Sequence, residues 1–169
     1  TDEMIKMASK ISPQDCCLVP EKREELTTEG GLDVASQLPR MKEVCAQLDD
    51  SKIRVSLFID ADKKQIDAAM ACGAPVIEIH TGHYADALKP AERELKYNEI
   101  IKSCKYAHSL GLQVNAGHGL TLENTFAIAK IDSIIELNIG HSIISRAVFV
   151  GLENATTEMK TLMLEARGL

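Results

Sequence analysis

The chain has 169 residues, of which 45% are hydrophobic, 26% charged and 4% aromatic, and its net charge is −6. This composition is typical of a globular protein with a sizeable core, and it predicts a single domain over residues 1–169. Few aromatic residues and the lack of a basic run argue against nucleic-acid binding. No apolar run approaches the ~20 residues of a membrane span, so we expect no membrane partner.

Helices and short apolar strands alternate along the chain, which is typical of parallel α/β folds. Periodic apolar residues predict helices over residues 1–10, 41–48, 62–72, 91–110, 121–130 and 155–166. We predict strands over residues 15–19, 54–59, 76–80, 113–116 and 134–139. Thr121 is the expected N-cap of the fifth of these helices.

The polar side chains of the predicted strands fall on one face, because side chains on a strand alternate between faces. The polar face carries Ser56, Asp60, Glu78, His80, Gln113, Asn115, Glu136 and Asn138. The opposite face carries Val55, Leu57, Ile59, Ile77, Ile79, Val114, Ile135, Leu137 and Ile139. A sheet covered by helices on both faces should be apolar on both. The one-sided pattern instead favours a barrel with helices outside and a polar site in its mouth.

Two architectures could explain this pattern of polar and apolar residues. An open, doubly wound sheet concentrates its site at one switch point, whereas a (β/α)8 barrel places polar groups at the ends of many strands. The polar ends of successive strands favour the barrel, which usually needs ~250 residues. We therefore predict an α/β fold made of the C-terminal five β/α units of a (β/α)8 TIM barrel, with about three units preceding Thr1.

The cysteines predict a reducing compartment. Five occur, none in a C-x-x-C pair or with zinc-type spacing: Cys16, Cys17, Cys45, Cys72 and Cys104. Such a scattered set predicts reduced thiols in the core of a cytoplasmic protein.

Residues 1–10 are predicted to form an amphipathic helix rather than a targeting signal. The His, Asp and Glu spacings predict no metal site.

Two polar motifs follow the first and third strands. The loop Thr27-Thr28-Glu29-Gly30-Gly31 has hydroxyls able to hold phosphate or sugar oxygens and glycines that would let it close, although an ordinary surface loop fits as well. Glu78 points into the predicted barrel mouth, where a carboxylate is costly to bury unless it is paired or functional. A structural ion pair is the alternative for Glu78, and a hydrogen-bonded wall residue the alternative for His80.

Two Gly-His steps end the last strands. His118 lies between Gly117 and Gly119, where a ligand can approach the backbone closely, and an imidazole exchanges protons near neutral pH. Gly140 and His141 would present amides at a helix start, which suits phosphate. The alternative for His118 is a turn histidine without a role. The alternative for Gly140 and His141 is plain helix capping. His83 and His108 are expected on the solvent surface.

The motifs together resemble the pyridoxine 5'-phosphate synthase family of the deoxyxylulose-dependent vitamin B6 pathway. The resemblance covers essentially the whole chain and is carried by CCLVPEKR, TTEGGLDV, VSLFIDAD, IEIHTG, NAGHGLT, ELNIGH and MLEARG. It implies a (β/α)8 barrel that assembles as a homo-octamer and needs no metal or organic cofactor. The implied reaction is a transferase-type condensation of 3-amino-2-oxopropyl phosphate with 1-deoxy-D-xylulose 5-phosphate, which gives pyridoxine 5'-phosphate, phosphate and water.

The resemblance also assigns roles to residues. It implies that His118 is the general acid and that Glu78 stabilises the transition state. Thr27 is the implied contact of 1-deoxy-D-xylulose 5-phosphate. The implied contacts of 3-amino-2-oxopropyl phosphate are Gly119, Gly140 and His141.

The family's first strands, and with them its substrate-binding arginines and its bases, have no counterpart after Thr1. We therefore expect the 169-residue chain alone to be inactive unless joined by the missing part. Two other hypotheses remain open: a different phosphate-binding barrel enzyme, and a half-barrel that acts only as a phosphate-binding or assembly partner. An aldolase is disfavoured because none of the strands ends in a lysine.

Overall fold

A computed structural model describes residues 1–20 and 30–169. The helices are α1 (Asp2–Ile11), α2 (Leu38–Asp50), α3 (Lys63–Ala71), α4 (Gly82–Ala85), α5 (Pro90–Ser109), α6 (Thr125–Ala129), α7 (His141–Val150) and α8 (Leu152–Ala166). The strands are β1 (Asp15–Leu18), β2 (Arg54–Ile59), β3 (Val76–His80), β4 (Gln113–Gly117) and β5 (Ile134–Asn138). The predicted strands therefore all form, with ends within one residue of prediction.

The strands make one parallel sheet in the order β1-β2-β3-β4-β5. Each strand pairs with the next along the chain, so the order never reverses as it does at the switch point of a doubly wound sheet. This arrangement is that of consecutive β/α units in a TIM barrel. The fold is α/β and consistent with a partial TIM barrel, as predicted.

The predicted apolar face packs under the helices. Leu57, Ile77 and Val114 are fully buried and join one core cluster with Leu48 of α2 and Cys104 of α5. Burying such a side chain stabilises the fold by about 1.5–3 kcal/mol. Helix α2 buries the residues that gave its periodicity, which are Met41, Val44, Cys45 and Leu48. The apolar face therefore faces the helix layer, which leaves the polar face for the barrel interior.

Strand β5 departs from the simple alternation. Val114 pairs with Ile134, but Asn115 pairs with Glu136, so Ile135 is skipped in the register. A skipped residue of this kind is a β-bulge, which re-aims the side chains beside it. As a result Ile134 is buried and Ile135 is 68% exposed, and the prediction that Ile135 lies on the buried apolar face is wrong.

The helix predicted over residues 121–130 is shorter than expected. It begins at Thr125, and its N-cap is Asn124 rather than Thr121. The Thr121 hydroxyl accepts a hydrogen bond from the Glu123 amide, while the Thr121 amide donates to Asn124 Oδ1. These bonds close a separate turn, and that turn takes the place of the predicted first helical turn.

Two helices leave apolar side chains exposed. In α1 the periodic residues Met4 and Ile11 are exposed and Ile5 is the buried one. Helix α7 has no buried residue, and Val148 and Phe149 are among its exposed side chains. Within the described residues, no helix is long and apolar enough to cross a membrane.

Candidate active site

The register of the sheet brings the predicted polar residues together at the carboxyl ends of the strands. Glu78 pairs with Asn115, His80 pairs with Gly117, and Gly117 pairs in turn with Asn138. In a TIM barrel this edge of the sheet carries the active site. The opposite edge holds Arg54, which bonds Asp15 and reaches Gln113 Oε1 at 3.2 Å, a purely structural contact.

Glu78 lies in the barrel interior, 8% exposed. Its Oε2 accepts a hydrogen bond from Asn138 Nδ2 at 2.8 Å and from the Cys17 thiol at 3.6 Å. Burial raises the pKa of Glu78, and these two hydrogen bonds counteract the rise only in part. A β-carbon on Gly117 would collide with Glu78 Oε1, so the glycine makes room for this carboxyl group. Among the described residues no lysine or arginine forms an ion pair with Glu78.

Asp60 and His80 form a hydrogen-bonded pair at the ends of β2 and β3. His80 Nδ1 lies 2.9 Å from Asp60 Oδ1, and the Gly31 amide donates to the same oxygen at 3.0 Å. The hydrogen bond from His80 is the main reason why the pKa of Asp60 is lowered. His80 is 2% exposed, and in the described structure its Nε2 is buried without a hydrogen-bond partner. A charged carboxylate can only accept, so Nδ1 carries the proton in this pair.

His83 is exposed, as predicted, and it also lies at the rim of the site. Its ring centroid is 5.2 Å from that of His80, and its Nε2 is 4.0 Å from Asp60 Oδ1. The reason is that α4 begins directly after β3, so its first turn lies over the strand end. Among the described residues, Asp60, His80 and His83 could hold a metal ion, because their ligand atoms lie within 4.8 Å of one another. The Asp60–His80 separation is that of a hydrogen bond.

His118 lies half-buried just beyond β4. Its backbone has φ +82°, in the left-handed region that residues other than glycine rarely adopt. Its ring meets the His80 ring edge to face, with centroids 5.0 Å apart, and the Phe58 ring at 6.3 Å. The structure thus places His118 beside the Asp60–His80 pair, on the strand next to that of Glu78.

The two loops predicted to hold phosphate are linked to each other. Gly119 is exposed, and its carbonyl accepts a hydrogen bond from Asn124 Nδ2 at 3.1 Å. Gly140 is the N-cap of α7, and His141 is its first residue, as predicted; both are exposed. The Ser142 hydroxyl donates to the Leu120 carbonyl at 2.6 Å, which ties the start of α7 to the loop after β4. Free amides at a helix start can bind an anion.

Thr27, the predicted deoxyxylulose phosphate contact, lies outside the described residues. The described end of the same loop meets the site, because the Gly31 amide bonds Asp60 Oδ1.

Sequence reasoning missed two residues of this site. Cys17 was expected among core thiols, and Cys45, Cys72 and Cys104 are indeed buried, but Cys17 is exposed and contacts Glu78. Thr81 is completely buried and bonds the backbone at His118. The alternation of β1 could have predicted the first of these, since Cys17 pairs with Ser56 of the polar face.

A singly wound parallel sheet with acid and base groups at the carboxyl ends of its strands defines an enzyme of the TIM-barrel type. The family model described as "Pyridoxal phosphate biosynthesis protein PdxJ" matches residues 1–165. The chain belongs to this family.

Curated relatives support the same family. The chain is 58% identical over 167 residues to the pyridoxine 5'-phosphate synthase of Photobacterium profundum, an alignment that covers 99% of the chain and 69% of the relative. It is 60% identical over 166 residues to the pyridoxine 5'-phosphate synthase of Coxiella burnetii, covering 98% of the chain and 69% of that relative. The predicted resemblance is therefore confirmed.

Proposed function

We propose that the protein is a pyridoxine 5'-phosphate synthase, which condenses 3-amino-2-oxopropyl phosphate with 1-deoxy-D-xylulose 5-phosphate. The observation that carries this proposal is the placement of Glu78 and His118 at the ends of neighbouring strands in a chain about 60% identical to synthases. The products are pyridoxine 5'-phosphate, inorganic phosphate and water.

The chemistry requires repeated proton transfers. The amine of one substrate attacks the ketone of the other and yields a Schiff base, then an enamine. Phosphate leaves from the deoxyxylulose part, water adds, and the ring closes with dehydration. His118 is the proposed general acid, because an imidazole can donate and accept protons near neutral pH. Its half-buried position at the strand end leaves the ring accessible to a substrate.

Glu78 is proposed to stabilise positive charge on the reacting imine. Burial raises the pKa of Glu78, so its surroundings favour the protonated carboxyl group more than water does. A cationic imine nearby would favour the ionised form, and the carboxylate would then stabilise that cation in a low-dielectric interior. Asn138 and Cys17 hold the carboxyl group in place through their hydrogen bonds.

Gly119, Gly140 and His141 are the proposed contacts of 3-amino-2-oxopropyl phosphate, and Thr27 that of the second substrate. The bond between Ser142 and Leu120 supports this assignment, because it holds the two glycine loops together. Holding two phosphorylated substrates side by side supplies the proximity that a condensation needs.

The resemblance further supports a homo-octamer in the cytoplasm. The described cysteines are all free thiols, which agrees with a reducing compartment.

Pyridoxine 5'-phosphate formation from the two substrates tests the proposal. In the full-length enzyme we expect turnover, and in its His118→Ala variant a loss of ~10²-fold or more, the usual scale for a general acid. Binding of either phosphorylated substrate without turnover would contradict the synthase and favour a phosphate-binding partner. Wild-type kinetics in His118→Ala would remove His118 from the mechanism.

A further inference from the structure

Thr81 makes an unusual set of bonds for a residue that follows a strand. It comes directly after β3, and its side chain is 0% exposed. Its Oγ1 lies 2.7 Å from the Gly117 carbonyl oxygen and 2.6 Å from the His118 carbonyl oxygen. The Thr81 amide donates to the same Gly117 carbonyl at 2.9 Å. One buried threonine therefore bonds two successive peptide carbonyls of another strand end.

These bonds surround the unusual backbone of His118. The two carbonyls converge on one hydroxyl at the residue where the chain turns left-handed, with φ +82°. A residue other than glycine avoids this conformation unless its surroundings enforce it. Because Oγ1 has a single proton, it donates to one carbonyl or shares the proton between both. The strained turn thus has an identifiable restraint, and that restraint is a side chain from the neighbouring strand.

We propose that Thr81 is the positioning residue of His118: its hydroxyl holds the two peptides that flank His118 in the left-handed turn that aims the imidazole. The inference concerns the conformation of His118, and only its kinetic consequence rests on the proposed function. Thr81 itself need not contact substrate. The His118 ring, packed on His80 and Phe58, takes its direction from this backbone.

Three variants isolate the hydroxyl. Thr81→Val keeps the shape and removes the hydroxyl, whereas Thr81→Ser keeps the hydroxyl and removes the methyl group. Thr125→Val is the matched control, because Thr125 is also fully buried and its Oγ1 donates to the Thr121 carbonyl at 2.6 Å. Histidine labelled with 13C reports the His118 Cα and ring resonances, assigned by their loss in His118→Gln, and steady-state kinetics give kcat and KM.

Thr81→Val is expected to shift the His118 resonances and to lower kcat by about 10- to 100-fold with little change in KM, the scale of a small misplacement of a reacting group. Thr81→Ser and Thr125→Val should keep the wild-type resonances. Unchanged resonances in Thr81→Val would overturn the proposal, and so would Thr81→Ser resonances displaced as far from wild type as those of Thr81→Val. If Thr81→Val does not fold, Thr81→Ala replaces it as the variant without a hydroxyl, and unchanged His118 resonances in Thr81→Ala would overturn the proposal in the same way. Shifted resonances with an unchanged kcat would support the positioning role and contradict the proposed role of His118.

Discussion

Asp60 and His80 lie at the ends of neighbouring strands, and the 2.9 Å hydrogen bond between Oδ1 and Nδ1 orients an imidazole whose ring also packs against those of Phe58, His83 and His118. The bond joins residues 20 positions apart in the chain. The His80 ring in turn packs edge to face on the His118 ring. By orienting His80, the Asp60 carboxylate therefore fixes the surface against which the proposed general acid, His118, packs. The pair is therefore part of the architecture of the site.

Asp60→Asn should change the acid stability of the protein. The pKa of Asp60 is lowered from its ordinary 3.8, so its ionised carboxylate stabilises the fold above that pH, and the contribution is lost as pH falls below 3.8. We expect the unfolding free energy of Asp60→Asn at pH 7 to be about 1 kcal/mol lower than that of the wild type. This is less than a fully buried charged hydrogen bond contributes, because solvent screens the partly exposed Asp60. Urea unfolding at pH 7 and at pH 3 measures it.

Asp62→Asn is the matched control for this measurement. Asp62 caps α3 by accepting a hydrogen bond from the Lys64 amide, and asparagine caps helices equally well. The control should follow the wild-type pH dependence, whereas Asp60→Asn should lose less stability than the wild type between pH 7 and pH 3. Parallel curves for all three proteins would show that the Asp60–His80 bond contributes nothing.

Glu78→Gln should stabilise the protein at neutral pH while it lowers turnover. Burial raises the pKa of Glu78 above its ordinary 4.5, so the protonated form favours folding below pH 4.5, and this advantage is lost as pH rises through the raised value. The neutral amide avoids the cost of a buried charge. We expect Tm at pH 7 to rise by about 2–4 °C, the scale of 1 kcal/mol in a domain of this size.

The turnover of Glu78→Gln should fall by about 10²-fold, the scale of losing one group that stabilises a transition state. Glu136→Gln provides the comparison, because Glu136 is exposed and accepts a hydrogen bond from Asn115 at 3.2 Å on the same polar face. It should change Tm little. A drop in Tm for Glu78→Gln at pH 7 would contradict the assignment of burial as the dominant influence.

Cys17 should alkylate slowly although the residue is exposed. Burial of its thiol, and then the charge of Glu78, raise the pKa of Cys17 to about 12. Alkylation proceeds through the thiolate, so we expect labelling by iodoacetamide at pH 8 to be at least about tenfold slower than for glutathione. Peptide mass spectrometry over a time course measures the rate.

Removing the neighbouring charge should reduce that effect, because burial of the thiol remains. Glu78→Gln should speed the alkylation of Cys17, whereas the adjacent Cys16, whose pKa is raised by burial alone, should keep its rate. Equal acceleration at both cysteines would point to local unfolding of β1 rather than to the Glu78–Cys17 contact.

The alternation of polar and apolar residues was enough to predict the sheet and most of the site. Glu78 and Asn138 lie on the predicted face and bond each other at 2.8 Å, since a parallel register aligns strand ends. The same reasoning failed at Ile135, because a β-bulge breaks the period of two on which it depends. Periodicity carries no information about a skipped residue.

Other parts of the site depend on contacts that no local pattern encodes. His83 is exposed as predicted, but its closeness to Asp60 follows only from the start of α4 just after β3. Thr81 is one polar residue among several in IEIHTG, and its importance appears only when the carbonyls of residues 117 and 118 are placed beside it. Contacts of this kind, between residues that are distant in the chain, cannot be predicted from local patterns in a single sequence.

Because the backbone of His118 is left-handed, the residue that would be most stable at this position differs from the residue that the proposed activity requires. The left-handed region, in which His118 lies, costs an L-residue with a β-carbon about 1–2 kcal/mol, and glycine has no such cost. His118→Gly should therefore be about 1 kcal/mol more stable than His118→Ala, although both lack the imidazole. Directed evolution for thermostability alone would drift toward glycine here, and a screen that ignores turnover would select against the proposed acid.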